Sequence, residues 1–245
     1  MMNKNNFVVK TIHYKGINLT ELLVTLVITS LLLIGSIDMM SYMFRQNANF
    51  NNDISMKQSK MISIERIKTK IREAADVYSN GTSLKIPSQS GSLTVTTGSR
   101  ALAAFVPVFD SSGNVVQPTG TTTSFLGIAF SIITESQWDG INSGKYVLIE
   151  TNYSVNLAVS STDALTITGT LPSDWSSGTS YLIAKNLSPA NLTTMGTQAF
   201  NVQGNIVSFA FVPANNVIYF GSTSGVANID DRANLNTVNF RNYRR

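Results

Sequence analysis

The chain is predicted to fold as α+β: a long N-terminal α-helix, membrane-spanning in its first half and amphipathic in its second, packed on a C-terminal, mainly antiparallel β domain. Three observations carry that prediction. Leu22 to Ile34 form an almost unbroken apolar run, long enough with its flanks to cross a bilayer. Between Ile54 and Tyr78, apolar residues return every three or four positions, the period of one helix face. After Gly81, short apolar or alternating runs are punctuated by Gly, Asn, Asp, Ser and Pro, as in strands joined by tight turns.

The first element is the apolar helix. Ile17 to Phe44 contains no proline and a single glycine, Gly35, so little interrupts helical propagation. At ~1.5 Å per residue, Glu21 to Asp38 spans about 24 Å, and carrying the helix through Phe44 passes the ~30 Å of hydrocarbon. Lys4, Lys10 and Lys15 precede it without an acidic residue, so the positive-inside bias keeps them cytoplasmic and sends the C-terminal domain outward. Thr25, Thr29, Ser30 and Gly35 are small enough to let helices approach closely in lipid, and are also ordinary in membrane helices. Asp38, about 32 Å along from Ile17, falls near the outer face, where interfacial water solvates it. Glu21 is different. A carboxylate at the head of an apolar span is costly, calls for a partner, and makes a functional site the default reading.

Directly before the run stands Lys15-Gly16, a small, flexible pair that a protease can cut. An ordinary secretory signal has its cut site after the apolar region. Here the candidate site precedes it, so cleavage leaves the helix attached and creates an α-amine on Ile17, about one turn from Glu21. Opposite charges buried in an apolar bundle are tolerated only when paired. Pairing also sets axial register, because a misaligned helix leaves a carboxylate alone. The plainer alternative is a signal anchor with a stray Glu near the interface.

The segment Lys15-Gly16-Ile17-Asn18-Leu19-Thr20-Glu21, with the run behind it, resembles the class III signal of type IV pilins and pseudopilins. That signal is a basic residue, Gly, the cut, an apolar first residue, three more residues, then Glu. The resemblance covers residues 4–45, with Ile17 where Phe is usual and Asn18 where Thr or Ser is commoner. It implies cleavage after Gly16, N-methylation of Ile17, and a Glu21 that neutralises the N-terminal amine of a neighbouring subunit as it leaves the bilayer. It implies as partners a prepilin peptidase, other pilin subunits and an inner-membrane assembly platform, and it implies no cofactor. The organisation that follows is a leader over 1–16, a polymerisation helix over 17–44, its amphipathic continuation over 45–79, and a β-rich pilin domain over 80–245.

In the second half of the helix, Ile54, Met61, Ile64, Ile67, Ile71, Ala74, Ala75 and Tyr78 make the apolar stripe expected to face the β domain. Lys57, Lys60, Glu65, Arg66, Lys68, Arg72 and Glu73 mostly take the other faces. Asn80-Gly81 supplies a stop, so a continuous helix is expected from Ile17 to Ser79. Its end, from Glu65-Arg66-Ile67 to Ile71-Arg72-Glu73-Ala74, is similar to that of PilW-like minor pilins and of the J pseudopilin of type II secretion.

Strands are expected at 92–96, 101–109, 125–133, 145–151, 164–168, 181–184, 205–212 and 216–220. Asp110 to Asn114 reads as the turn of a hairpin between Phe105–Phe109 and Val115-Val116, and Pro213 to Asn216 as the turn between the last two strands.

Composition excludes several chemistries. There is no cysteine, so the domain is held by its core without disulfides. The single histidine, His13, lies in the candidate leader, which leaves no imidazole for Ser-His-Asp catalysis or ordinary zinc sites in the cleaved chain. Gly144-Lys145-Tyr146 lacks the spacing of a phosphate loop. Asp139 to Gly144 and Asn228 to Asp231 hold oxygen ligands without a calcium-loop spacing, and turn chemistry explains both. Glu135, Asp139 and Glu150 are carboxylates that can meet in space. An enzyme is not expected. The net charge of +4 falls to about +1 once the three leader lysines go, and the basic tail of Arg241, Arg244 and Arg245 reads as solvated, so no nucleic-acid binding is expected.

The expected function is therefore a structural filament subunit, a minor pilin. Two alternatives stay open: a J-like pseudopilin of type II secretion, and a filament-tip adhesin or DNA-uptake module. For the last, Trp138, Tyr146, Tyr153 and Trp175 are candidates for a surface patch, with strand-core positions as the plainer reading.

Overall fold

The computed structural model describes residues 18–187, 199–209 and 236–240. The chain divides into two compact units, Met1–Asn52 and Asp53–Arg245. In the first, the described residues are helical from Leu19 onward, as the first part of α1 (Leu19–Arg72). In the second, the remainder of α1 packs on a β domain, which makes the unit α+β.

All the sheets in that unit are antiparallel. The main sheet runs β1 (Asp76–Val77), β4 (Ala101–Pro107), β5 (Thr122–Thr134), β6 (Tyr146–Ser160) and β7 (Asp163–Ile167), with β8 (Thr179–Leu187) also on β6. A hairpin of β2 (Ser83–Ser88) and β3 (Gly91–Thr96) and a three-stranded sheet of β9 (Phe200–Gln203), β10 (Ile206–Phe209) and β11 (Asn236–Asn239) complete it. A short helix, α2 (Glu135–Asp139), follows β5 under a capping box of Thr134 and Gln137.

The main sheet is buried on both faces, and β4 shows it. Leu102, Ala104 and Val106 join Ile67 and Ile71 of α1 and Phe200 and Phe209 of the small sheet in one core. Ala101, Ala103 and Phe105 point the other way, into a core with Leu84, Ile86 and Trp175. Period-two alternation therefore buries every residue of β4, which is why its sequence is a continuous apolar run.

Three expectations are corrected. The helix ends at Arg72 rather than Ser79. Ala75 and Tyr78 instead donate their backbone N–H groups to Phe105 and Ala103 at 2.8 and 2.9 Å, so the sheet edge captures the segment that apolar spacing alone assigned to the helix. Within the stripe, Ile67 and Ile71 are buried, but Met61 is 68% exposed and Ile54 38%. At about 100° per residue, Met61 lies about 120° round the helix from Ile67, and Ser63 takes the inward place, its hydroxyl donating to Ser59 O at 2.7 Å. Finally, β1, β2, β9 and β11 were not expected, being short, polar or Pro-containing. The expected strand at 216–220 and the turn at Pro213 lie outside the described residues.

The Asp110 to Asn114 turn forms as expected. Asp110 Oδ1 accepts from the backbone N–H groups of Ser112 and Asn114, both at 2.9 Å, and Gly113 takes the left-handed φ of 81° that the turn requires.

Candidate functional site

The N-terminal half of α1 begins at an Asn. Asn18 lies just before the first helical residue, where an Asn side chain is favoured, and Leu22 N–H donates to its carbonyl at 3.1 Å. Glu21 is the third helical residue and accepts the backbone N–H of Asn18 at 3.3 Å. That is the carboxylate half of a capping box. Its negative charge also faces the positive end of the helix dipole. Glu21 is thus held at the very start of the helix. Gly16 and Ile17, the expected cleavage pair, lie outside the described residues, as do His13 and the leader lysines.

From Leu19 to Phe50 every residue of α1 is exposed, including Leu23, Leu26, Leu31, Leu33, Ile37 and Phe44. Apolar side chains on all sides of an uncovered helix suit lipid or a helix bundle rather than water. This is one helix long and apolar enough to cross a membrane, and none of its apolar window is buried. Four of its hydroxyl groups are satisfied internally. Thr29, Ser30 and Ser36 donate to the carbonyls of Thr25, Leu26 and Leu32 at 2.6, 2.7 and 2.7 Å, and Thr25 donates to that of Glu21. Each of these four hydroxyls thus finds its partner within the helix, as hydrocarbon demands.

In the β domain, the carboxylates do not meet. Glu135 pairs with Lys185 and accepts from the Ser143 hydroxyl. Asp139 Oδ1 accepts the backbone N–H of Ile141 at 3.0 Å, a turn role, with Gly140 left-handed at φ 83°. Among the described residues no cluster of three or more His, Asp or Glu is placed to hold a metal ion. Asn228 to Asp231 lies outside them.

Glu150 has a different partner. Its side chain is 1% exposed, on the α1-facing side of β6, and Arg66 of α1 grips it with both arms of the guanidinium. Nε donates to Oε2, and Nη2 donates to Oε1 at 3.0 Å. The hydrogen bonds to Glu150 hold the Arg66 guanidinium above its ordinary pKa, outweighing its partial burial. This bidentate bond ties helix to sheet across 84 positions of sequence. No spacing rule connects the two residues. The available signal was a lone Glu in the apolar start of β6 and an Arg beside the core residue Ile67.

Removing Arg66 leaves an almost fully buried carboxylate without its counter-charge. Arg66→Ala is expected to lower unfolding stability by about 3 kcal/mol, and Arg66→Lys to recover only part, since ammonium lacks the two-armed geometry. The double variant Arg66→Met/Glu150→Leu removes both charges and should regain most of the loss. Denaturant titration of the full chain in detergent reads all three. Arg66→Ala as stable as the parent would show that the pair contributes nothing.

The aromatic candidates are core. Trp175 is fully buried and Trp138 nearly so. Tyr153 stacks on Trp175 with ring centroids 5.5 Å apart and planes 19° apart. Tyr78 meets the same indole edge-on and donates its hydroxyl to Pro172 O, while burial pushes its phenol pKa well up. Tyr146 is half-buried under Arg100, whose guanidinium carbon lies 5.5 Å from the ring centroid.

No protein-family model matches the chain, and no curated protein or solved structure shows significant similarity to it.

Proposed function

We propose that the chain is a structural subunit of a type IV pilus-like filament, a minor pilin, made as a membrane-held precursor and cut after Gly16. One observation carries the reading: Lys15-Gly16-Ile17 and Glu21 stand in register at the head of a helix whose apolar surface is uncovered along its first half. The leader lysines hold the N-terminus in the cytoplasm and the β domain emerges on the other side. Cleavage by a prepilin peptidase releases an α-amine on Ile17 next to Glu21, and the assembly platform lifts the helix from lipid into a bundle of its neighbours. There the apolar side chains exchange lipid contacts for one another. The Glu21 carboxylate of one subunit neutralises the terminal amine of the next, and the repeated heterologous contact propagates the filament. The assignment as a minor subunit follows from the size of the β domain, and the reading calls for no cofactor.

The test is intact-mass and N-terminal peptide mass spectrometry on membrane and sheared-filament fractions. A chain beginning at Ile17, heavier by one methyl group and present in filaments, is expected. Replacing Gly16 with Phe should leave the full-length precursor in the membrane. A parent chain that keeps residues 1–16 in cells with active peptidase would overturn the proposal in favour of a signal anchor.

A further inference from the structure

Asn80-Gly81 is the single Asn-Gly pair in the chain. Glycine puts no side chain in the way, so the backbone nitrogen after such an asparagine can reach its side-chain carbonyl carbon, and the pair is chemically labile. Both residues are exposed to water. Yet the fold ties up the reacting groups on both sides.

The nitrogen is held first. Gly81 N–H donates to Thr97 O at 2.9 Å. The Thr97 hydroxyl donates to Ser79 O at 2.6 Å and accepts the Thr82 N–H at 2.9 Å. Thr97 is buried, so it fixes the backbone before and after the pair. The side chain is held by β9. Asn80 Nδ2 donates to Asn201 Oδ1 at 2.8 Å and to Val202 O at 3.2 Å, and Val202 N–H donates to Asn80 Oδ1 at 3.0 Å. One amide thus pairs with Val202 through both its donor and its acceptor, as a strand residue would. The place is shaped for it. Gly98 takes a left-handed φ of 80° beneath the amide, where a Cβ would stand 2.5 Å from Asn80 Oδ1.

We propose that Asn80 is a modification site, deamidated when its contact with β9 opens. Gly81 N, released from Thr97 O, attacks Asn80 Cγ. The N–Cγ bond forms, the Cγ–Nδ2 bond breaks, and Nδ2 leaves as ammonia with the Gly81 proton. Water then opens the five-membered imide at either carbonyl, leaving aspartate or isoaspartate at position 80. The product does not refit. A carboxylate has no donor, so it meets the Val202 carbonyl as one acceptor facing another. Rotating the Asn201 amide relieves its own contact but not that of Val202. Isoaspartate also lengthens the backbone between the anchors that Thr97 provides. Each event therefore weakens, in one direction only, the join whose opening allowed it. The site lies wholly within the β domain, so it is independent of whether the chain polymerises.

The test is to age the full chain in detergent at mildly alkaline pH, folded and in urea. Position 80 is followed by peptide mass spectrometry, with fragmentation that separates aspartate from isoaspartate. In urea, position 80 is expected to convert first among the asparagines. In the folded chain it should convert at least about tenfold more slowly, because it reacts only from the open population. Asn201→Ala keeps the Asn-Gly pair and removes one partner, so its folded chain should convert severalfold faster than the parent. Asn80→Asp, which copies the product, should melt about 2–4 °C lower, the shift for losing one hydrogen bond in a domain of this size. Equal rates folded and in urea, a parental rate in folded Asn201→Ala, or a parental melting temperature in Asn80→Asp would each overturn the proposal.

Discussion

Glu21→Ala is expected to be cut like the parent but to fall more than tenfold in sheared filaments, accumulating in the membrane fraction. The physical basis is the difference between lipid interface and helix bundle. At the membrane surface Glu21 is served by the Asn18 backbone N–H at 3.3 Å and by water, so its loss changes little. Inside the proposed bundle of apolar helices, water is gone and the Ile17 amine that cleavage after Gly16 would create needs a counter-charge. Leaving one buried charge alone costs about 3–5 kcal/mol, two or more orders of magnitude in an association constant. Because Glu21 also caps its own helix, Glu21→Gln provides the control: it keeps an acceptor for the Asn18 N–H and loses only the charge. Quantitative immunoblotting of both variants decides the matter. If Glu21→Gln enters filaments normally while Glu21→Ala does not, capping and not charge pairing is the role of this residue. If both enter normally, the register argument fails.

Trp175→Ala should destabilise the β domain by about 3–5 kcal/mol, the range for truncating a large buried aromatic. Trp175 is fully buried, stacked by Tyr153, met edge-on by Tyr78 and packed on Phe105 at 5.6 Å between centroids. Its indole N–H also donates to Pro172 O at 2.9 Å. The fit is close enough that β5 has a glycine beneath it. A Cβ on Gly127 would come within 2.9 Å of the indole ring, so Gly127→Ala should cost stability through the same contact, though less. Both losses are read by denaturant titration. Trp175→Phe should retain part of the stability, since it keeps aromatic volume but not the hydrogen bond. A Trp175→Ala domain as stable as the parent would show that this cluster is not the second core. The same burial removes Trp175 and Trp138 as surface recognition residues.

Much of the fold was legible because it rests on short-range signals. An apolar run long enough to cross a bilayer, a three-to-four repeat around Ile67 and Ile71, and the Asp110 to Asn114 turn each depend on residues close in sequence. The failures came where a local signal had two solutions. Ala74, Ala75 and Tyr78 fit a helical stripe, yet their segment is claimed by backbone hydrogen bonds to β4. Met61 fits a loose three-to-four count but drifts off the buried face as the helix turns. The candidate site divides the same way. Glu21 was identifiable from its place before the apolar run, whereas Glu150 was only one of three unassigned carboxylates until α1 and β6 were brought together.

What the sequence determined alone is therefore the N-terminal segment: the register of Gly16, Ile17 and Glu21, and a helix apolar on every side. Its properties follow from composition along one local helix, whose backbone hydrogen bonds need no distant partner. Tertiary structure decided the rest: where α1 ends, the Arg66–Glu150 clamp and the two-sided burial of β4. Each depends on which strand takes up a given backbone edge or side-chain charge, and those partners lie tens of residues away.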